Sequence, residues 1–198
     1  ADFGASASEF FTAVAVDTSR AGAARGSAGF DAAIASLSDA VGRYPNSAFR
    51  AKALPELGEL LIRKADAAYA AAQRANANLA ASHPDYGDAM ARFEEFLAAF
   101  PDAPDADAAA YTLGSIAFLA QRFDESVRAF EKVMALEGSR FRAEAFFRHG
   151  DSRFELANQQ SGDARRVLLE GAAQSYERAI ALAPADGDIY YLSLYKLG

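Results

Sequence analysis

The sequence contains no cysteine and only six prolines among its 198 residues. The absence of cysteine excludes disulfide bonds, catalysis by a thiol and zinc sites built from thiolates. An alternating run of valine, isoleucine and threonine, which would indicate a strand, is also missing. The chain is instead rich in alanine, the residue with the highest helix propensity. Together these features predict an all-α protein.

Positive charge and long apolar runs are also scarce. The formal net charge is −7 and the isoelectric point is about 4.9. A chain of this charge repels phosphate backbones and anionic lipid surfaces, so we expect no nucleic-acid partner. No segment is apolar for long enough to cross a bilayer, and we expect no direct insertion of this segment into a membrane.

Residues that usually carry catalysis or bind metals are few and scattered. The two histidines, His83 and His149, are far apart in the chain and form no ligand or acid–base motif. The acidic residues near Asp102 and Asp186 lack the spacing of a calcium loop. The glycine-rich stretch 22–29 lacks the strand and the Gly-Lys-Ser/Thr ending of a phosphate-binding loop. We therefore expect no catalytic residue, no cofactor and no metal ion, and hence a protein that is not an enzyme.

The chain does contain an internal repeat. Four segments each have a large apolar residue, then small or apolar residues at helical spacing, and a proline or glycine at the end. They begin at Phe30, Tyr86, Phe123 and Leu169, and successive copies start 56, 37 and 46 residues apart. A repeat of this length predicts a stack of helical hairpins rather than a closed globule.

A second repeated segment precedes these copies. It reads Tyr111-Thr-Leu-Gly114, then Phe147-Arg-His-Gly150, then Tyr195-Lys-Leu-Gly198, and a fainter copy ends at Gly58. A glycine inside a helix costs about 1 kcal/mol relative to alanine. Its recurrence therefore indicates a place where two helices cross and where a β-carbon would hold the backbones apart.

The resulting two-helix unit resembles the tetratricopeptide repeat. The third unit, from about Asp105 to Gly138, matches that family best, and the matching residues are Tyr111, Leu113, Gly114, Phe118, Phe123, Ser126, Phe130 and Val133. The resemblance implies a right-handed α–α superhelical solenoid that forms a single domain over residues 1–198. Its units would lie near residues 5–45, 47–101, 105–138 and 140–184, with a partial unit at 187–198.

Two of the units are longer than the family repeat. The residues after Gly58 keep small and apolar side chains on one face, which predicts one long helix rather than a loop. In the fourth unit, we expect residues 159–169 to extend the closing helix backward, with Ser161 or Asp163 as its cap. The opening helix of the first unit is expected near Ser6 to Val16. Because the chain starts at Ala1 and stops within a predicted helix, we expect it to be an excerpt of a longer chain.

The turns between units resemble those of one branch of the family. Tyr44-Pro45-Asn-Ser47 and Phe100-Pro101-Asp-Ala103 are similar to turns in tetratricopeptide proteins of the Gram-negative envelope, such as the Tol–Pal coordinator, the β-barrel assembly lipoprotein and gliding-motility proteins. The proline ends one helix, and Asn46, Ser47, Asp102 or Asp105 would cap the next. This resemblance implies a periplasmic or outer-membrane-associated protein, and the alternative is a cytoplasmic one.

The same resemblance implies a scaffold that binds other proteins. In tetratricopeptide proteins, residues of the first helix of each hairpin lie on or beside a concave groove that holds an extended peptide or a helix of the partner. The corresponding candidates are Tyr111, Phe118, Phe147, Asp151, Phe154 and Tyr195. We expect most of these rings to pack between hairpins and one or two to be exposed. The alternatives are a helical accessory domain of a larger cell-wall enzyme, a structural subunit of a large complex and a cytoplasmic chaperone-like adaptor.

Overall fold

The computed structural model describes residues 30–45, 49–75 and 83–198 of the chain. Within these ranges the protein is all-α, as predicted, with eight helices and no strand. The helices are α1 (Asp31–Arg43), α2 (Arg50–Ala75), α3 (Gly87–Ala99), α4 (Ala106–Leu119), α5 (Phe123–Ala135), α6 (Arg142–Asn158), α7 (Gly162–Leu182) and α8 (Asp188–Leu197). None of the described helices combines the length and the apolar character needed to cross a bilayer.

The chain divides into two compact units between Ala103 and Pro104. This boundary falls between the second and third predicted repeats. The opening helix expected near Ser6 to Val16, and the predicted caps Asn46 and Ser47, lie outside the described residues. The right-handed superhelix over the whole chain stays a prediction.

The first unit contains α1, α2 and α3, with α2 packed against both of its neighbours. The long helix predicted after Gly58 is present and continues as far as Ala75. Three polar contacts hold α2 in place: Lys64 forms an ion pair with Asp31 of α1 at 2.6 Å, Arg50 pairs with Glu95 of α3, and Tyr86 donates a hydrogen bond to Asp66 at 2.6 Å. The apolar core between the helices includes Leu37, Leu54, Leu60, Phe93 and Phe96.

The second unit contains α4 to α8, and each helix packs on the next one in the chain. Helix α6 also contacts α4 and α8, so these three helices lie side by side. This order of contacts is typical of successive hairpins, in which α4 and α5 form one pair and α6 and α7 the next. Helix α8 packs on α7 in the position of a third opening helix.

A glycine of the opening helix lies against an aromatic ring of the following helix in three hairpins. A β-carbon at Gly58 would fall 2.7 Å from the Phe93 ring, one at Gly114 would fall 2.8 Å from Phe130, and one at Gly150 would fall 2.6 Å from Tyr176. The sequence predicted close approach at these glycines, but it predicted that two backbones would meet there. The structure corrects this detail, because a ring of the closing helix, rather than its backbone, occupies the space.

Two helices begin where the sequence predicts, but they lack the predicted capping hydrogen bonds. Helix α7 does extend backward to Gly162, with Ser161 at its N-cap, but the Ser161 side chain makes no capping hydrogen bond. Asp105 likewise occupies the N-cap of α4 without a side-chain bond to the helix. The predicted positions are therefore correct for these two residues, whereas the predicted capping hydrogen bonds are absent.

Candidate protein-binding face

Polar side-chain contacts join α4 to α6 and α6 to α8. Tyr111 of α4 donates a hydrogen bond to Glu144 of α6, and one turn further along α6 Arg148 lies 3.8 Å from Asp151. Asp151 is also 3.0 Å from the Nζ atom of Lys196 on α8. We call this surface the first-helix face and define it by Tyr111, Glu144, Arg148, Asp151, Phe154 and Lys196.

Asp151 is the central charge of the first-helix face. Its carboxylate is buried, and it accepts a hydrogen bond of 2.9 Å from the Tyr176 hydroxyl on α7. A buried carboxylate is stable only when cations and hydrogen-bond donors compensate for its lost hydration. Tyr176, Lys196 and Arg148 supply that compensation from three different helices. Asp151 therefore fixes the relative positions of α6, α7 and α8.

The tyrosines that contact these carboxylates are held in their neutral form. Burial, followed by the hydrogen bond and the charge of Glu144, raises the pKa of Tyr111 to about 12. Burial and the charge of Asp151 also raise the pKa of Tyr176. Both hydroxyls therefore act as hydrogen-bond donors at neutral pH and supply no general base.

The six residues predicted to bind a partner differ in accessibility. Phe147 is buried against the Tyr176 ring, with 5.8 Å between the ring centroids, and Asp151 is buried as described above. Tyr111 is half-buried and stacks on Phe141, and Phe118 is half-buried with its ring edge-to-face against Phe123. Phe154 is 39% exposed and Tyr195 is 81% exposed. Two rings of the series are thus open to solvent, and the others contribute mainly to packing.

The exposed Phe154 ring has a cation beside it. The Nζ atom of Lys196 lies 5.8 Å from the ring centroid, and the same ammonium group pairs with Asp151. An ammonium over an aromatic face gains about 0.5–1 kcal/mol at an exposed site. The first-helix face therefore presents an exposed aromatic ring beside a cation that is itself paired with a buried anion.

His149 lies behind this face and not on it. It is buried, its Nδ1 is 2.8 Å from the Ser175 hydroxyl of α7, and its Nε2 is 3.6 Å from a carboxylate oxygen of Glu131 on α5. Burial, together with the positive charge of Arg153, lowers the pKa of His149. The neutral imidazole therefore serves as a hydrogen-bonded part of the core.

Other parts of the described chain offer little for chemistry. No group of three or more histidine, aspartate and glutamate side chains is arranged to hold a metal ion among residues 30–45, 49–75 and 83–198. An open cleft of about 470 Å³ lies between the end of α6 and the start of α7, its walls are mostly apolar, and Asp163 and Asp124 of α5 also line it. Its walls contain no histidine or basic side chain.

Sequence reasoning did not include Glu144 and Lys196 in the site. Their partners, Tyr111 and Asp151, belong to other hairpins, and the pairing depends on the lateral offset between neighbouring opening helices. The only available signal was the register of the repeat, because Lys196 occupies the position in its segment that Arg148 occupies in the preceding one. Both are basic residues that pair with Asp151.

No protein-family model matches the chain, and no curated protein matches it significantly. The likeness to the tetratricopeptide repeat therefore depends on the repeated residues and on the hairpins that they form.

Proposed function

We propose that this protein is a non-enzymatic scaffold that binds other proteins through its first-helix face. The observation that carries the proposal is the exposed Phe154 ring, which lies beside the ammonium of Lys196, itself paired with the buried carboxylate of Asp151. Exposed rings beside fixed charges are typical of protein-binding surfaces, in which a few aromatic residues supply most of the affinity. The repeated hairpins support the same interpretation, since stacks of this kind form extended binding surfaces.

The chemistry of the face indicates how a partner would bind. An apolar side chain of an extended peptide or of a helix would cover Phe154 and exclude water from it. The charges of Lys196, Arg148 and Glu144 would then pair with polar groups of the partner and set its register along the face. Asp151 is already compensated by Tyr176 and Lys196. It would therefore orient the cations Lys196 and Arg148 and would not contact the partner itself.

A selection from a peptide-display library tests this proposal. Peptides enriched on the intact chain should bind at least tenfold more weakly to Phe154→Ser, because loss of a buried aromatic contact costs about 1.4 kcal/mol or more. Val167→Ser is the matched control, since Val167 is an exposed apolar residue of α7 outside the first-helix face. Equal binding to all three proteins, or no enrichment at all, would reject the first-helix face as the binding site.

We also propose that the scaffold belongs to the envelope of a Gram-negative bacterium. The support is the resemblance of the turns at Tyr44-Pro45 and Phe100-Pro101 to those of envelope tetratricopeptide proteins. Fractionation of cells that produce the full-length protein with an epitope tag tests this location. Recovery in the periplasmic or outer-membrane fraction is expected, and recovery in the cytoplasm alone would favour the chaperone-like adaptor.

A further inference from the structure

A groove runs along one side of α6, between α5 and α7. Both α5 and α7 pack on α6 but have no extended contact with each other. Residues three or four positions apart on α6 share one face of the helix and form the floor of this groove. We call it the α6 groove, and its floor consists of Arg142, Phe146, His149, Arg153 and Leu156.

Contacts to both neighbouring helices place this face of α6 between them. The Nε atom of Arg142 donates a hydrogen bond of 3.0 Å to the Met134 carbonyl of α5. On the other wall, the guanidinium carbon of Arg178 on α7 lies 5.7 Å from the centroid of the Phe146 ring. The side chains at the start of α6 are therefore held by α5 on one side and by α7 on the other.

The exposure of the α6 groove does not follow from where the sequence ends. Its floor and walls are consecutive helices, with α4 before them and α8 after them. In a stack of hairpins each repeat contacts only its neighbours, so any hairpin that follows α8 would pack on α8 and not between α5 and α7. The floor also lies on the opposite side of α6 from Asp151 and Phe154. The groove is therefore distinct from the first-helix face.

The first half of the α6 groove carries cations that lack carboxylate partners. The guanidinium carbons of Arg142 and Arg178 lie 6.0 and 5.7 Å from the same Phe146 ring centroid. Among the described residues, neither of these two arginines nor Arg153 forms an ion pair. A guanidinium group without a partner can hold a carboxylate through two parallel hydrogen bonds. In this acidic chain the other cations of the second unit that do pair are Arg122, Arg148, Arg166 and Lys196.

The third cation of the groove lies across the α7 wall. Gly171 has no side chain, and a β-carbon there would overlap the Arg153 guanidinium. Arg153 is therefore packed over α7 in the middle of the groove, where it is half-buried. Glu131 of α5 supplies a carboxylate on the opposite wall, 3.6 Å from His149. The contacts thus bring three guanidinium groups and one carboxylate to this half of the groove, which favours a partner with negative charge.

The second half of the α6 groove opens into the apolar cleft of about 470 Å³. Leu156 of the floor, with Val167 and Leu168 of α7, gives this cleft room for apolar side chains. Asp124 and Asp163 also line it, and none of the described residues that line it is basic. These carboxylates repel a second anion, so a uniformly negative polymer such as a nucleic acid fits the groove poorly. The two halves together fit a segment that is acidic at one point and apolar at another.

The middle of the groove determines the conformation of such a segment. The Nδ1 atom of His149 lies 2.8 Å from the Ser175 hydroxyl of α7, and its Nε2 atom lies 3.6 Å from a carboxylate oxygen of Glu131 on α5. At this depth the two walls are separated by little more than one imidazole ring. A helix is about 10 Å across and does not enter, whereas an extended chain does. Phe146 and Leu156 are about 15 Å apart along α6, which an extended chain covers in about five residues.

We propose that the α6 groove binds an extended segment of another protein in which a glutamate or aspartate stands about five residues from a large apolar residue. The carboxylate pairs with Arg142 and Arg178, and Arg153 lies further along the groove as a third cation. The apolar residue fills the cleft beside Leu156 and is removed from water there. The α6 groove shares no residue with the first-helix face, so it is an additional binding surface and does not rest on the function proposed above.

A titration of the isotope-labelled full chain, followed by NMR, tests the α6 groove. The probe is an end-blocked peptide with two central glutamates, three serines on each side of them and two leucines at each end, so that the required spacing is present in either chain direction. We expect amide shifts in the residues of α5, α6 and α7 that line the groove. Binding should be weaker by about tenfold or more when both glutamates are replaced by glutamine, because charge-assisted hydrogen bonds are lost.

Substitutions in the protein locate the contact. The double variant Arg142→Gln/Arg178→Gln should bind the glutamate peptide more weakly by about tenfold or more. Arg165→Gln is the matched control, because Arg165 is an exposed arginine of α7 that does not line the cleft, and it should leave binding unchanged. Shifts outside the groove, equal binding of the glutamine peptide, or an absence of shifts at millimolar peptide would each overturn the inference. The comparison of the two peptides leaves the protein unaltered and so does not depend on the folding of a variant.

The same experiment distinguishes other occupants of the groove, each of which would contradict the proposal. Tighter binding of a single-stranded oligonucleotide than of the peptide would indicate a nucleic acid. A concentration-dependent dimer that the double variant abolishes would indicate a second copy of the chain. Amide shifts within residues 1–29 that the double variant causes without peptide would indicate a segment of the chain itself. The Phe154-dependent peptide selection would remain a separate test of the first-helix face in every case.

Discussion

Gly114 of α4 lies directly against the ring of Phe130 in α5, and a β-carbon at residue 114 would fall 2.8 Å from Cε1 of that ring. Phe130 is fully buried, so its ring has little room to move. The same relationship joins Gly58 to Phe93 and Gly150 to Tyr176. The absence of a β-carbon at the repeated glycine therefore leaves space for a ring, and each hairpin depends on this space for close packing.

Replacement of this glycine should destabilise the protein. Overpacking of a filled core costs about 1–3 kcal/mol, and the helix propensity of alanine returns at most about 1 kcal/mol of this. We expect Gly114→Ala to lower the free energy of unfolding by about 1–2 kcal/mol in urea denaturation. Gly138→Ala is the control, because no atom lies within 4 Å of a β-carbon at Gly138, and it should change stability by less than about 0.5 kcal/mol.

Substitution of Gln121 by glycine should stabilise the protein. It follows α4 with a φ angle of 59°, the left-handed region, and two backbone hydrogen bonds close the turn, from Gln121 to Phe118 and from Arg122 to Ala117. Glycine is the preferred residue there because a β-carbon is strained in this conformation. Gln121→Gly should raise the free energy of unfolding by about 0.5–1 kcal/mol in urea denaturation. Gln121→Ala retains the β-carbon and should change it little, and equal effects of both variants would contradict this account.

His149 should make the second unit sensitive to acid. Burial and Arg153 lower its pKa below the ordinary value of 6.5, although the charge of Glu131 acts in the opposite direction. His149 takes up a proton near pH 6.5 in the unfolded chain but resists protonation in the folded protein. The contribution of His149 to stability is therefore complete above this pH and is lost as the pH decreases. Leu113 occupies the equivalent position in α4, and His149→Leu should therefore flatten the dependence of the unfolding midpoint on pH between about 6.5 and 5.

The exposed His83 supplies the control for this experiment. His83→Gln should keep the wild-type loss of stability in acid, measured by thermal unfolding across the same pH series. A His149→Leu protein that loses stability in acid as steeply as the wild type would show that another group causes the loss.

Three tyrosines that donate hydrogen bonds to carboxylates should ionise only at high pH. The pKa of Tyr111 is raised to about 12, chiefly by burial and then by Glu144, and burial also raises the pKa values of Tyr86 and Tyr176. The fold favours the neutral form of these tyrosines. Their contribution to stability is therefore complete below the ordinary tyrosine pKa of 10 and declines as the pH rises above it. We expect Tyr86, Tyr111 and Tyr176 to remain protonated above pH 10 while the protein is folded, as followed by tyrosinate absorbance.

Single substitutions by phenylalanine identify the tyrosines that ionise only at high pH. Tyr111→Phe should remove one equivalent from the absorbance change that occurs well above pH 10. Ionisation of Tyr86, Tyr111 and Tyr176 near the ordinary pKa of 10 would contradict their hydrogen bonds to Asp66, Glu144 and Asp151.

Local sequence patterns anticipated much of the fold. Composition predicted the all-α class, the small and apolar residues on one face predicted the long α2, and the extra length of the fourth unit predicted the backward extension of α7. The recurrent glycines predicted where helices approach closely, but they could not identify whether a ring or the backbone of the neighbouring helix lies against each glycine. A ring and a backbone both require glycine, and only the rotation of the neighbouring helix decides between them.

The first-helix face was harder to predict for a related reason. Phe147 and Phe154 are both aromatic residues on α6, but Phe147 faces Tyr176 of α7 whereas Phe154 faces Lys196 of α8. The difference arises from their positions around one helix relative to two neighbours that lie later in the chain. Periodicity within α6 does not contain the positions of those neighbours, so the exposed ring could not be distinguished from the buried one.

The most direct test of the packing relationship is a double-mutant cycle with Gly114→Ala and Phe130→Leu, measured by urea denaturation. If the β-carbon and the ring compete for the same space, the smaller side chain at residue 130 relieves the clash. The double variant should then be more stable than the sum of the single losses predicts, by about 1–2 kcal/mol. Losses that add within about 0.5 kcal/mol would show that Gly114 and Phe130 do not interact, and the proposed basis of the hairpin repeat would be wrong.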